Sequence, residues 1–162
     1  MKVIFLDIDG VLNNKWSRSR CDGYIGIDKA RVALLKIIVE NTGANIVLSS
    51  TWRLGYAKGG GSLQHHIKYL KRKLQQFQLE VYDVTPDLGR MGLLRGQEIK
   101  KWISEQIEPV TNIVILDDEE FDFEKEGLYK YLVHTSWNDK NGGLNQSHVD
   151  NAIYILGERY DG

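Results

Sequence analysis

The residues best placed to do chemistry in this chain are the carboxylates that end its short hydrophobic runs. Asp7 and Asp9 close the run that begins Val3-Ile4-Phe5-Leu6, and Gly10 follows at once. Asp117 and Asp118 close a second run, Ile113-Val114-Ile115-Leu116, and Ser49 and Ser50 close a third, Ile46-Val47-Leu48. Carboxylates gathered at one sheet edge repel each other, and a bound cation relieves them most directly. The set is all oxygen, with no Cys/His group at metal spacing, which selects Mg2+ rather than zinc. An ion held this way neutralises phosphate charge, so that an anionic carboxylate can approach phosphorus in line. Aspartate is a known phosphate nucleophile, forming an aspartyl-phosphate that water then hydrolyses. A carboxyl two residues on is placed to protonate the leaving oxygen and then to activate the water. Gly10 lets the backbone turn sharply beside the phosphate.

Helices and strands must bring these ends together. Lys2 to Ile8 reads as a strand buried on both faces. Asp28 is placed to cap a helix carrying Val32, Leu35, Ile38 and Val39, stopped by Gly43. Asn45 to Ser49 is the second strand, and Leu54 to Gly61, with four glycines, reads as a flexible loop. Ser62 caps a helix through Leu63, Ile67, Leu70, Leu74 and Phe77. Leu79 to Tyr82 reads as the third strand, with a turn at Pro86. Gly96 to Ile107 is helical with Ile99, Trp102, Ile103 and Ile107 inward. Asn112 to Leu116 and Lys130 to His134 are the fourth and fifth strands, and Asn145 caps a last helix through Val149, Ile153 and Leu156. Alternating strands and helices predict a three-layer α/β/α sandwich around a parallel, Rossmann-like sheet of about five strands. Ligands of such sheets bind beyond the carboxyl ends of the strands, where Asp7, Ser49 and Asp117 all fall. The 162 residues are expected to form a single domain.

Phe5-Leu6-Asp7-Ile8-Asp9-Gly10-Val11-Leu12-Asn13 resembles the first motif of the haloacid dehalogenase (HAD) superfamily, most of whose members are phosphatases. The resemblance implies that Asp7 is the nucleophile and Asp9 the general acid/base, which also gives its backbone carbonyl to the metal. Ser49, ending Ile46-Val47-Leu48, matches the phosphate-binding hydroxyl of the second motif, with Ser50 close enough to compete. Arg95, opening Gly96-Gln97-Glu98-Ile99, resembles the third-motif cation that clamps the phosphoryl group, although Lys is commoner there; Lys100 is a weaker candidate. Asp117-Asp118 resembles the acidic fourth motif, in which Asp118 would bind Mg2+ directly and Asp117 through water. Leu48-Ser49-Ser50-Thr51-Trp52-Arg53, the Arg95 segment, the Asp-Asp pair and Gly143-Leu144 together are similar to the HAD domain of multi-domain "Swiss army knife" RNA repair proteins. That similarity runs from Val3 to about Leu156. It points to a phosphorylated substrate, a polynucleotide end or a nucleotide.

HAD enzymes often carry a cap domain inserted after the first or third strand. Only about 18 residues separate Asp9 from Asp28, enough for a flap at about residues 10–27 but for no large cap domain. An uncapped site suits a bulky substrate, or closure by a partner. Gly10, Ser50, Thr51 and Arg53 are the expected substrate-binding residues, with Trp52 stacking on substrate or packing. Trp16, Arg18 and Arg20 lie in the flap. Lys68, Lys71, Arg72 and Lys73 read as a solvated helix face and His65 and His66 as surface residues, with Tyr24 and Trp137 as packing.

A net charge of -1 excludes a protein that coats nucleic acid by bulk electrostatics, and it leaves room for a local basic patch. The apolar runs are far shorter than the roughly 18 residues that span a bilayer. There is no signal-peptide pattern, and Cys21 has no cysteine to pair with, which suits a cytoplasmic enzyme. The sequence sets no oligomeric state. Rival readings are a phosphoprotein or small-metabolite phosphatase and a phosphoryl-accepting signalling or binding module. A signalling receiver usually has its acidic pair after the first strand, not late in the chain.

Overall fold

Val3, Ile4, Phe5 and Leu6 are fully buried, which a strand achieves only at the centre of a sheet covered on both faces. The structure, a computed structural model, describes residues 1–57, 61, 63–90 and 93–162. Along the chain run β1 (Lys2–Leu6), β2 (Arg20–Cys21), β3 (Tyr24–Ile25), α1 (Lys29–Thr42), β4 (Asn45–Leu48), α2 (Leu63–Gln75) and β5 (Asp83–Val84). They are followed by α3 (Arg95–Ser104), β6 (Asn112–Asp117), β7 (Leu132–His134) and α4 (Gln146–Gly157).

Five of the strands form one parallel sheet in the order β5-β4-β1-β6-β7. The chain winds outward from β1 to β5, then returns to the other side of β1 for β6 and β7. The order therefore reverses at β1, and crevices open at such a reversal. On one side, Trp102 of α3 meets Phe5 of β1 edge to face, with ring centroids 5.5 Å apart. Elsewhere α4 packs along α1 and over β6 and β7. The expected three-layer, HAD-like α/β sandwich is the architecture found, and no cap domain is inserted among the described residues. Among those residues, too, no helix is long and apolar enough to cross a membrane.

The short antiparallel β2–β3 hairpin lies within the flap segment. Helix α2 holds it in place: the Ile27 amide donates to the Tyr69 hydroxyl at 3.0 Å, and a Cβ at Gly26 would collide with that same oxygen.

Some local expectations are corrected. The edge strand is Asp83–Val84, not Leu79 to Tyr82. Gln78 adopts a left-handed turn and the Leu79 amide still bonds to Leu74, so Leu79 belongs to the end of α2. Helix α3 stops at Ser104, which leaves Ile107 fully exposed rather than inward. Asp28 precedes α1 without capping it; its carboxylate accepts from the Ser17 hydroxyl at 2.5 Å and pairs with Arg31. Residues Thr51–Tyr56 form a 3-10 helix where a loop was expected to begin. A Cβ at Gly55 would strike the Leu63 carbonyl, so that glycine permits close packing on α2. The expected cap Ser62 and glycines Gly59 and Gly60 lie outside the described residues.

Candidate active site

Leu6 pairs with Leu48 on one side and with Leu116 on the other. One residue further on, Asp7, Ser49 and Asp117 therefore stand side by side at the carboxyl edge of β1, β4 and β6. The ladder continues this far, because the Ser49 amide donates to Leu6 and the Asp7 amide to Leu116. Parallel pairing in register thus turns a sequence separation of more than a hundred residues into a single cluster. Asp7, Asp117 and Asp118 each offer a carboxylate oxygen, and these oxygens lie within 4.8 Å of one another.

Arg95 faces this cluster. Its Nη1 lies 3.5 Å from Asp7 Oδ1 and 3.4 Å from Asp117 Oδ2, and its guanidinium stacks over the Phe121 ring at 4.7 Å. As the first residue of α3, its charge opposes the helix dipole. Asp122, in the loop after β6, offsets that cost by capping the same turn; its carboxylate accepts from the amides of Gly96 at 2.5 Å and Gln97 at 3.3 Å.

The three acids are poorly compensated. Burial raises Asp7 above the usual carboxylate range, although Arg95 and the Ser50 hydroxyl pull it down. Burial and then Asp7 raise Asp117 well above that range, against Arg95. Asp118 is pushed up to about 7, first by burial and then by Asp7 and Glu119.

Asp9 stands apart from this triad. Its Oδ1 accepts from Asn13 Nδ2 at 2.9 Å and its Oδ2 from the Trp52 indole at 2.9 Å. The Asn13 amide also donates to the Gly26 carbonyl and accepts from the Gly10 amide, tying Asp9 to the base of the hairpin. Gly10 has φ +86°, and a Cβ there would collide with the side chain of Asp118. Its carbonyl accepts from Thr135 Oγ1 at 2.6 Å. Gly10→Ala is expected to displace Asp118 and lower kcat/KM roughly 100-fold, measured at saturating metal. The backbone strain adds about 1–3 kcal/mol of destabilisation, read from melting curves.

The other expected site residues separate into two groups. Ser50 caps the 3-10 helix, its hydroxyl accepting from the Trp52 amide at 3.3 Å, while the Ser49 hydroxyl is buried with no partner among the described residues. Thr51 is exposed at the start of that helix. Arg53 was expected to meet substrate, but it is buried. It pairs with Glu98 at 2.7 Å and donates to the Ser50 carbonyl at 2.9 Å, so its charge is used inside the protein. Burial lowers its pKa, and Glu98 opposes that shift. His66, expected at the surface, is buried against Trp52. Tyr24 and Trp137, read as packing, instead border an open pocket beside Asp9. The roles of Asn13, Trp52 and Trp137 depend on contacts between distant segments; the position of Asn13 inside the first motif and of Trp52 just after the second pointed to two of them, and nothing pointed to Trp137.

Residues 3–149 match the family described as the HAD domain in Swiss Army Knife RNA repair proteins. The chain belongs to this family. Membership makes it a hydrolase domain of the HAD type. No curated protein and no solved structure gives a significant match.

Proposed function

We propose that this HAD domain hydrolyses a phosphomonoester through an aspartyl-phosphate on Asp7, with Mg2+ as cofactor. The observation that carries this reading is the convergence of Asp7, Asp117 and Asp118, with oxygens within 4.8 Å of one another and one guanidinium facing them. The donor set fits Mg2+: it is all oxygen, anionic and short of positive charge. Asp7 and Asp118 would hold the ion directly and Asp117 through water, with the Asp9 carbonyl as a further ligand by family resemblance. Bound there, Mg2+ would supply the charge that lets an anionic nucleophile meet an anionic phosphate.

The remaining work falls to side chains. An Asp7 oxygen attacks phosphorus and the bond to the leaving oxygen breaks, with Asp9 donating its proton to that oxygen. Water then attacks phosphorus, Asp9 takes the water's proton and the bond from phosphorus to the Asp7 oxygen breaks, which frees Asp7 and releases inorganic phosphate. Arg95 is placed to stabilise charge on the transferring group. The Ser49 hydroxyl is buried without a hydrogen-bond partner among the described residues, and a phosphoryl oxygen would satisfy it.

The substrate we favour is a phosphorylated nucleic-acid end or a nucleotide. The family's association with RNA repair proteins supports this, as does the absence of an inserted cap among the described residues. The test is a panel of nucleotides, phosphorylated oligonucleotides, phosphopeptides and sugar phosphates, assayed with Mg2+ and with EDTA. Nucleotides or oligonucleotide ends are expected to lead in kcat/KM. A phosphopeptide or sugar phosphate in the lead overturns the substrate class, and no turnover of any ester overturns the phosphatase.

A further inference from the structure

This inference rests on the phosphatase reading and concerns the group that leaves. In an in-line displacement the attacking and departing oxygens lie on opposite sides of phosphorus. With Asp7 attacking, the body of the leaving group extends toward the acid that protonates it, Asp9. Asp9 borders a pocket of ≈ 370 Å3 whose other walls are Tyr24, Ile25, Trp52, His66 and Trp137. Trp52 both fixes Asp9 through its indole N–H and forms part of this wall. Its ring meets His66 edge-on at 4.7 Å, and His66 meets Tyr24 at 5.4 Å; Trp52 and His66 are themselves buried, so Tyr24 and the half-buried Trp137 offer the accessible aromatic faces. Tyr24 is 63% exposed at the rim. The alcohol released from phosphate thus leaves into an aromatic pocket.

The geometry points to this pocket as a nucleobase site that holds the terminal nucleoside of a phosphorylated single strand. Bases stack on aromatic side chains without regard to sequence, because every base has a π face. The volume falls within the range of about 300–1,000 Å3 seen for sites that bind drug-sized ligands, more than a single phenol ring fills. A second cleft of ≈ 370 Å3 lies between the same hairpin and α2, and Arg20, Lys68 and Arg72 line it, with Asp22 and His65. Cys21 and Arg20 of this cleft pair with Tyr24 and Ile25 of the aromatic pocket, and His65 precedes His66 on α2, so the two clefts are built on the same hairpin and the same helix. Net positive charge one step from a base site suits the next phosphate of a strand. A phosphotyrosine side chain would use the aromatic walls but leave the basic cleft without a function.

The experiment compares adenosine 5′-monophosphate, a 5′-phosphorylated and a 3′-phosphorylated tetranucleotide, ribose 5-phosphate and a phosphotyrosine peptide. Trp137→Ala should lower kcat/KM for the nucleotide substrates roughly 5- to 100-fold more than for ribose 5-phosphate, the loss of one stacking contact. Trp137→Phe should recover most of that difference, which separates stacking from misfolding. Adenosine alone should quench the tryptophan fluorescence of the wild-type protein, a readout that survives even if no ester is hydrolysed. Arg72→Glu should weaken the tetranucleotides more than the mononucleotide. Equal effects of Trp137→Ala on nucleotide and ribose substrates, with no quenching by adenosine, overturn the base site. A preference for the phosphotyrosine peptide overturns it as well. A tetranucleotide that gains nothing over the mononucleotide overturns the strand path.

Discussion

Asp7→Asn protein is expected to lose turnover by roughly 10,000-fold or more while keeping its fold. The substitution preserves shape and removes the oxygen nucleophile, so no aspartyl-phosphate can form. Stability provides the control. Burial raises Asp7 more than Arg95 and Ser50 lower it, so the ionised side chain works against the metal-free fold at pH 8. A neutral asparagine removes that cost, and Arg95 keeps Asp117 as a partner. The metal-free variant should therefore melt at or above the temperature of metal-free wild-type protein at pH 8. Loss of rate with gain of stability separates a missing nucleophile from a damaged fold. Wild-type-like turnover in purified Asp7→Asn protein would remove the nucleophile assignment, whatever the melting curves show.

The sheet was legible in the sequence because its central strands are short, apolar and terminated by polar residues. Ile46-Val47-Leu48 and Ile113-Val114-Ile115-Leu116 admit few alternatives, and pairing in register then sets Asp7, Ser49 and Asp117 abreast. The edge strand was misplaced because Leu79 and Val81 carry a strand-like pattern, while the backbone at Gln78 still finishes a helix. Arg53 illustrates a different limit. A cation just after a site motif looks like a substrate ligand until Glu98, buried on another helix, is seen to claim it. The same holds for the aromatic pocket, since nothing in the order of Tyr24, Trp52, His66 and Trp137 says that they meet. Periodicity reports what each element buries, whereas side-chain partners across elements are set only by the packed fold.

Metal removal should alter both rate and stability, with opposite pH trends in the presence and absence of Mg2+. In the metal-free protein Asp118 is pushed up to about 7 from an unfolded value of 3.8, by burial first and then by Asp7 and Glu119. Asp117 and Asp7 are shifted in the same direction. Between those limits the folded state holds more protons than the unfolded chain, so stability falls as pH rises. The contribution is fully present below 3.8 and is lost as pH rises through about 7. In EDTA, the melting temperature should therefore drop between pH 5 and pH 8. Mg2+ requires deprotonated carboxylates, so its stabilisation should grow over the same interval. At a concentration 100 times its Kd, the ion adds about 2.7 kcal/mol, roughly 5–11 °C for a chain of this size. Asp118→Ala should flatten both trends and leave little response to added Mg2+. Hydrolysis in EDTA should fall to background and return with Mg2+. A melting temperature at pH 8 that ignores Mg2+ and EDTA alike would mean that the three carboxylates meet without sharing an ion, and the proposed chemistry would lose its electrostatic basis.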